Sequence, residues 1–289
     1  MTKKNCILIG APVDCGKRRR GCLMGPDAYR TAGLAEALSA LGHSVEDLGN
    51  LRPKQVDVPA PANTKVHALA ENVGWTLTLI EAAQDAAQKG MPIFMGGDHA
   101  LAAGSVAGMA AHAARENRPF FALWLDAHSD IHTPETTDTG NLHGTPVGYV
   151  TGRDGFDAYP PLPARVDPAN ICMSGLRSVD EAERKILSTG DVVLVDMRRF
   201  DEEGISGPLQ SFLERVDAGN GMLHVSLDVD FLDPSIAPAV GTTVPGGATT
   251  REGHLVMEVL SDSGLVTSLD LVELNRFLDD CFKTAYLMV

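Results

Sequence analysis

Short apolar runs separated by helix-like segments recur along almost the whole of this 289-residue chain. The runs are rich in Val, Ile and Leu and lack a polar face, which is typical of strands buried on both faces of a parallel sheet. Their alternation with helices predicts an α/β fold with helices on both faces of the sheet. The predicted strands are residues 6–10, 92–95, 120–126, 171–174, 192–195, 223–228 and 265–272.

Apolar residues also recur every three or four positions in several intervening segments, as they do in helices with one buried face. Helices are predicted at residues 34–41, before Gly42, at residues 69–80, in a segment that ends at Gly90, and at residues 100–115, which Asp98 or a nearby residue would open. Two long irregular stretches, residues 129–151 and 233–250, follow acidic strand ends. Loops of this length inside a compact fold are commonly functional, and ligands of such folds bind at the carboxyl ends of the strands.

Composition limits the class of protein. With 44% hydrophobic residues the chain can form one sizeable core, and we expect residues 1–289 to be a single domain. A formal net charge of −14 argues against nucleic-acid binding, and we interpret the basic run at residues 17–20 as a solvated loop. Five dispersed cysteines without a CxxC motif favour free thiols, and no apolar run reaches the ~18 residues of a membrane span. These features predict a cytoplasmic protein that binds no membrane.

Two segments at the ends of predicted strands carry an unusual pattern. Asp126, His128 and Asp130 lie two residues apart at the end of a predicted strand, so in extended chain their side chains project from one side. Asp228 and Asp230 repeat this spacing after another apolar strand. Charged groups at such positions are costly to bury unless they are paired or coordinated. The spacing therefore predicts metal ligands.

A further segment, Gly96-Gly97-Asp98-His99, adds an imidazole at the same end of the sheet. By itself this segment could be a turn with a helix cap. Together the segments offer two histidines and four aspartates, which exceed the needs of one tetrahedral zinc ion. The number fits two divalent ions that share carboxylates, and the mixture of oxygen and imidazole ligands suits Mn²⁺.

The segments GGDHA, DAHSD and SLDVDFLDPS resemble the metal-binding signatures of the ureohydrolase family, which includes arginases, agmatinases and formiminoglutamases. IGAPVDCGKRRRGCLMGPDAYRTAGL, the loop IHTPETTDTGNLHGTPVG, GLRSVDEAE and GTTVPGGATTREG resemble arginases in particular. The resemblance implies a three-layer α/β/α sandwich around a mostly parallel sheet of about eight strands. It also implies two manganese ions. One would be held by His99, Asp126, Asp130 and Asp228, and the other by Asp126, His128, Asp228 and Asp230.

The implied reaction is hydrolysis of a guanidino compound, L-arginine above all, to urea and an amine. A hydroxide that bridges the metals would attack the guanidinium carbon, and Asp126, which would bind both metals, is a candidate catalytic residue. His143 matches the family's proton-shuttle histidine, and Glu273 matches the glutamate that binds the guanidinium. From the residues alone, His143 could instead cap a turn, and Glu273 could form an ion pair at the sheet edge.

The resemblance also implies a substrate pocket and an assembly. His132 stands where arginases have asparagine, and Thr139 stands where they have serine. Several alternatives to arginine hydrolysis stay open. The substrate could be agmatine or a guanidino acid, or an amide hydrolysed at one zinc ion. The protein could also bind a guanidino ligand without catalysis. The family assembles as homotrimers or hexamers, so the resemblance implies such an assembly for this chain. The candidate residues for substrate binding are His132, Thr139, Asn141, Asp180, Glu183 and Thr242.

Overall fold

A computed structural model describes residues 3–289. In it, eight strands form one sheet in the order β2-β1-β3-β8-β7-β4-β5-β6, and every neighbouring pair is parallel. The strands are β1 (Asn5–Ala11), β2 (Ser44–Asn50), β3 (Met91–Gly96), β4 (Phe120–Leu125), β5 (Ile171–Leu176), β6 (Val193–Asp196), β7 (Met222–Asp228) and β8 (Val266–Val272).

Within residues 3–289, ten α-helices cover the sheet, together with short 3₁₀ turns. The helices are α1 (Gly25–Thr31), α2 (Leu34–Ala40), α3 (Leu69–Ala87), α4 (Ala102–Arg115), α5 (Pro146–Val150), α6 (Glu181–Leu187), α7 (Met197–Glu203), α8 (Ser206–Ala218), α9 (Thr250–Ser263) and α10 (Lys283–Leu287). Among residues 3–289, none of these helices combines the length and the apolar character that crossing a bilayer requires.

The core consists of two apolar layers, one on each face of the sheet. Along β1, Ile7 and Ile9 belong to the layer under α3–α6, whereas Cys6 and Leu8 belong to the layer under α1, α2 and α7–α10. This alternation follows the two-residue period of a strand, and it explains why the central strands are apolar at every position. The predicted three-layer α/β/α fold is confirmed, and the sheet is parallel throughout rather than mostly so.

Two elements differ from the sequence prediction. The edge strand β2, with the sequence SVEDLGN, was missed because one of its edges and most of its side chains face solvent, which leaves no continuous apolar run. The stretch at 129–151 was expected to be irregular, yet its last part forms α5, with Pro146 at the first turn of the helix. Proline suits this position because the missing N–H has no intrahelical partner there.

Candidate active site

Four adjacent strands, β3, β8, β7 and β4, end at the same edge of the sheet and deliver most of the candidate residues. His99 follows β3, Asp228 ends β7, and Glu273 comes directly after β8. The structure thereby brings together six residues from three segments that lie far apart in the chain. We call them the His–Asp cluster: His99, Asp126, His128, Asp130, Asp228 and Asp230.

The first half of the cluster surrounds the imidazole of His99. Its Nδ1 lies 2.9 Å from Asp126 Oδ2, 3.0 Å from Asp130 Oδ2 and 3.2 Å from Asp228 Oδ2. All four side chains are almost fully buried. One nitrogen and three carboxylate oxygens thus converge from three different segments of the chain.

The second half of the cluster surrounds His128. Its Nδ1 lies 3.1 Å from Asp230 Oδ2 and 3.4 Å from Asp126 Oδ1. Asp126 therefore contributes one oxygen to each half, which is the arrangement expected of a carboxylate shared by two ions. Asp228 contacts the first half through Oδ2, while its Oδ1 accepts a hydrogen bond from the Asp230 N–H. Its sharing by the second half stays a prediction.

The nitrogen and oxygen atoms of the first half do not form hydrogen bonds with one another, and their arrangement fits a bound cation. Within residues 3–289, His99 Nδ1, Asp126 Oδ2 and Asp130 Oδ2 are buried without a hydrogen-bond partner, although the nitrogen lies about 3 Å from each of the two oxygens. Their distances would allow hydrogen bonds, but their directions do not. Buried polar atoms are almost always paired, so a common point of convergence indicates a metal ion. The residues present therefore fit a divalent cation.

Charge in the cluster leads to the same conclusion. Burial and the carboxylates of Asp230 and Asp126 raise the pKa of Asp228 well above its ordinary value. Burial alone would lower the pKa of His128, but the carboxylates of Asp126 and Asp230 prevail and raise it to about 12. Carboxylates this close need compensating positive charge, which protonated imidazoles or divalent cations can supply.

The orientation of His99 is set by two neighbours. Its ring stacks on Trp124, with centroids 4.3 Å apart and planes within 7° of parallel. Its Nε2 lies 2.8 Å from Ser226 Oγ. If Nε2 carries the proton and its N–H donates a hydrogen bond to this hydroxyl, Nδ1 keeps its lone pair. The lone pair can then point toward the carboxylates, as in metal-binding histidines. Neither neighbour was singled out by the sequence.

Two of the candidate residues have backbone angles that side chains rarely adopt. Asp130 has φ 49° and Glu273 has φ 68°. In this left-handed region a residue with a side chain is strained, and such strain is common at functional sites. At Glu273 the bend follows directly after β8, and it is held by a hydrogen bond from the Glu273 N–H to the Gly97 carbonyl, 2.8 Å.

Glu273 lies at the centre of a second group of contacts. Its Oε1 accepts a hydrogen bond from the His99 N–H at 2.9 Å and lies 3.0 Å from His143 Nδ1. Its Oε2 is paired with the ammonium of Lys17. Burial acts to raise the pKa of Glu273, but Lys17 and His143 prevail and hold it well below its ordinary value. The structure thus brings His143 and Glu273 together and adds Lys17, whereas the roles of His143 and Glu273 stay predictions.

The interpretation of residues 17–20 as a solvated loop is wrong for Lys17. Arg18, Arg19 and Arg20 are exposed, but Lys17 is only 3% exposed. The loop is fastened by two aspartates: the Gly16 N–H donates to Asp98 at 2.7 Å, and the N–H groups of residues 21 and 22 donate to Asp14. This bracing turns Lys17 inward, and no local sequence signal separates it from the arginines that follow.

The candidate substrate residues form separate groups. His132 Nε2 lies 2.8 Å from Asp180 Oδ2 and 3.9 Å from Glu183 Oε1. Asp180 and Glu183 also form a capping box at the start of α6, so their carboxylates accept each other's backbone N–H. We call His132, Asp180 and Glu183 the rim group. Its oxygens and nitrogen are close enough to hold a cation, but the capping box already explains the two carboxylates.

Thr139 and Asn141 lie in a second group. The Asn141 N–H donates to Thr139 Oγ1 at 3.2 Å, and Asn141 Oδ1 lies 3.2 Å from His67 Nε2. Thr242 lies elsewhere, where its hydroxyl donates to Asp230 Oδ2 at 3.3 Å. Its contact is thus with the His–Asp cluster itself.

Arg177 is a further residue that the sequence did not single out. Its guanidinium donates to the backbone carbonyls of Asp230 and Val244, and so ties the long loop at 233–250 to the end of β7. Asp233 closes the same loop by accepting the N–H groups of Gly246 and Gly247. The loop is therefore braced at both ends beside the site. Since the partners are backbone groups, no sequence pattern would have revealed this role.

Comparisons with known proteins agree with this geometry. A sequence model of the Arginase family matches residues 4–289. The arginase of Brucella melitensis is 58% identical over 286 residues, which make up 99% of this chain and 94% of that protein. The arginase of Agrobacterium fabrum is 54% identical, with 99% and 88% covered. The solved structure of Bacillus caldovelox arginase has a TM-score of 0.88 and 34% identity, with 99% and 95% covered.

Proposed function

The chain belongs to the arginase family of hydrolases, and on that premise we propose that it uses two manganese ions to hydrolyse L-arginine to L-ornithine and urea. The observation that carries the proposal is the His–Asp cluster, whose two halves share Asp126. Relatives named arginase that match almost the full chain support the choice of substrate.

In this proposal, His99, Asp126, Asp130 and Asp228 hold one ion, and Asp126, His128, Asp228 and Asp230 hold the other. Carboxylate oxygens together with imidazole nitrogens are a ligand set that suits Mn²⁺. Water alone is too weak a nucleophile to attack a guanidinium at neutral pH. Two bound divalent cations would supply a nucleophilic water at this pH. Ser226 and Trp124 keep the ring of His99 in the orientation that binding requires.

Glu273 binds the guanidinium of the substrate. Its carboxylate is buried and held in the charged form, and a buried carboxylate gives a strong charge-assisted hydrogen bond to a guanidinium N–H. The strained turn at Glu273 directs this carboxylate beside His99, next to the cluster. The guanidinium carbon would therefore lie close to the place where water is activated.

His143 supplies the proton for the leaving group. Hydrolysis joins the oxygen of water to the guanidinium carbon and breaks the bond from this carbon to the side-chain nitrogen, so that nitrogen must gain a proton. His143 Nδ1 lies 3.0 Å from the carboxylate that holds the guanidinium, and the side chain is 15% exposed. It can therefore reach both the substrate and solvent, as a proton shuttle must.

The rim group binds the amino-acid end of the substrate. Asp180 is half exposed and can pair with an α-ammonium group. Its carboxylate is charged, because the Glu183 N–H and the His132 imidazole lower its pKa against the opposing effect of burial. L-arginine satisfies this carboxylate, whereas a guanidino acid leaves it without an ammonium partner.

A second candidate substrate is favoured by one contact. His132 already occupies Asp180 Oδ2 at 2.8 Å, and so takes up part of the acceptor that an α-ammonium would need. A guanidino acid such as 4-guanidinobutyrate needs no such acceptor, and its carboxylate could accept a hydrogen bond from an imidazole N–H. The two substrates must therefore be compared directly.

Urea release tests the proposal. Purified protein is incubated with Mn²⁺, and L-arginine, agmatine and 4-guanidinobutyrate are supplied side by side, with a chelator-treated sample as the control. We expect L-arginine to give the highest kcat/KM and chelation to abolish release. If another guanidino compound gives a higher kcat/KM, that compound is the substrate and the proposed mechanism applies to it. No release from any of them by protein that contains the metal would refute the proposed function.

We also propose that residues 1–289 act as one domain and assemble into homotrimers or hexamers. Large apolar side chains exposed near the C-terminus support assembly: Phe277 is 73% exposed and Tyr286 is 60% exposed. Exposed apolar groups of this size commonly mark protein interfaces. Light scattering of the purified protein would give the mass directly, and a monomer at micromolar concentration would refute the assembly.

A further inference from the structure

The ammonium of Lys17 is buried beside the candidate chemistry. The side chains of Lys17 and Glu273 are 2% and 1% exposed, and their charged groups are in contact. Lysine is almost never buried without a partner, so the pair explains how the charge is tolerated. The pair also places the positive charge of Lys17 against the carboxylate of Glu273, to which we assign binding of the substrate guanidinium.

Glu273 has no oxygen left for a second cation. Oε1 faces the His99 N–H and His143 Nδ1, and Oε2 faces Lys17, with Cys22 Sγ 3.7 Å away. A guanidinium binds a carboxylate through its own N–H donors, which need these same acceptor sites. Lys17 and a substrate guanidinium therefore compete for Oε2.

The surroundings allow the side chain of Lys17 to move while its backbone stays in place. The Gly16 N–H is bound to Asp98, and the Gly16 carbonyl accepts N–H groups of Leu142 and His143. Only the flexible four-carbon stem of Lys17 lies beyond these anchors. On its other side lies Gly241, where a β-carbon would come within 3.0 Å of Lys17 Nζ. Gly241 therefore leaves space beside the Lys17 ammonium that a residue with a side chain would occupy.

We propose that Lys17 is a specificity-determining residue: its ammonium occupies the cation position on Glu273 in the free enzyme, and the substrate guanidinium must displace it. This inference rests on the proposed role of Glu273 as the guanidinium-binding residue. A guanidinium can displace an ammonium from Oε2 because two of its five N–H groups can point at the same oxygen and because it is more weakly hydrated than an ammonium. A weaker cation, or a neutral ureido group, cannot. Lys17 thus excludes ligands that bind Glu273 less strongly than a guanidinium does.

The test compares Lys17→Met and Lys17→Arg with the wild type, all incubated with Mn²⁺. Lys54→Met is the matched control, because Lys54 also pairs with a glutamate, Glu81, but at the surface. Displacement lowers apparent affinity by the fraction of molecules in which the site is open. We expect Lys17→Met to lower KM for L-arginine by about tenfold with kcat nearly unchanged, and Lys17→Arg to raise KM by about tenfold. Lys54→Met should change neither.

A purely structural ion pair gives the opposite pattern. In that case Lys17→Met leaves KM unchanged or raises it, and Lys17→Arg, which preserves the pair, leaves KM unchanged. Either result would overturn the inference. Should Lys17→Met fail to fold, Lys17→Arg decides the question alone. Its guanidinium keeps the charge and binds Glu273 more firmly, so an unchanged KM would refute displacement.

Binding of the guanidinium ion, measured by calorimetry at millimolar concentrations, separates this inference from the proposed function. The ion probes Glu273 without depending on turnover. If the guanidinium ion binds Lys17→Met more tightly than the wild type, displacement is supported even when the wild type releases no urea. The absence of urea release would then refute only the proposed reaction. Equal binding to both proteins, including no detectable binding to either, overturns displacement even if urea release is normal.

Discussion

The His–Asp cluster and the rim group differ in how their charges are compensated. In the cluster, His99 and Asp126 are each 1% exposed, and one polar atom of each has no hydrogen-bond partner among residues 3–289. In the rim group, Asp180 is 47% exposed, and its oxygens are already engaged by His132 and by the start of α6. The cluster thus has unpaired polar atoms that fit an added cation, whereas the carboxylate of Asp180 in the rim group already has partners.

This difference explains which properties each region can determine. Buried charges without partners are very costly, so the residues of the cluster can hardly be exchanged without loss of the metal site. In the rim group, the pair of His132 with the half-exposed Asp180 contributes little, so a change at His132 costs little. On the proposed function, the cluster determines the type of reaction, and the rim group adjusts the choice of substrate. Four substitutions test this division, from the largest expected effect to the smallest.

Asp126→Asn should have the largest effect, because Asp126 contributes an oxygen to each half of the cluster. Loss of a residue that only supports a metal ligand already costs about 10–100-fold, so we expect urea release to fall by at least about a hundredfold, together with the bound metal. Elemental analysis measures the metal. Asp138→Asn, in a loop where the side chain is 94% exposed, is the control. Full metal content in Asp126→Asn would contradict the sharing of Asp126.

His143→Ala should lower kcat by about 10²–10⁴-fold, the usual contribution of a general acid, while both metal ions remain bound. His143 contacts Glu273 and not the donor atoms of the cluster. His254→Ala, at an exposed position on α9, is the control. A kcat within twofold of the wild type would assign the proton to another group. Loss of metal would instead make His143 part of the cluster.

Asp180→Asn should raise KM for L-arginine by about tenfold, since an unpaired buried or half-buried polar group costs roughly 1–3 kcal/mol. Asparagine still caps α6, so the fold should be preserved. KM for 4-guanidinobutyrate, which has no ammonium group, serves as the control within the same protein. Equal changes for both substrates would show that Asp180 does not bind the ammonium.

His132→Asn should have the smallest effect, a decrease of about threefold or less in KM for L-arginine, because partly exposed pairs contribute little. The substitution frees Asp180 Oδ2, which His132 contacts at 2.8 Å. In an Asp180→Asn background the same substitution should have no effect, since coupled residues are non-additive. A loss of bound metal in His132→Asn would break the division between rim and cluster.

The sequence was sufficient for the central strands and the cluster because both follow short periods. Asp126, His128 and Asp130 lie two residues apart, and parallel strands end at one edge of a sheet, so their meeting with Asp228 follows from the fold. The edge strand β2 escaped prediction because it has no continuous apolar run, and it is identified by its pairing with β1 rather than by its own residues.

Contacts between distant loops could not be predicted in this way. His132 and Asp180 are 48 positions apart, and their contact depends on how two loops fold over the strand ends. Lys17 was misjudged for the same reason. Its burial results from hydrogen bonds of Asp14 and Asp98 to backbone N–H groups, which leave no trace in the pattern of side chains around residue 17.

The most direct test of the account is a Mn²⁺ titration of metal-free protein in which bound ions per chain and urea release from L-arginine are measured on the same samples. Two halves that share Asp126 predict two ions per chain at saturation, with most of the activity gained as the second ion binds. Full activity at one ion per chain, or activity that persists after chelation, would contradict the assignment of the His–Asp cluster as a two-metal site.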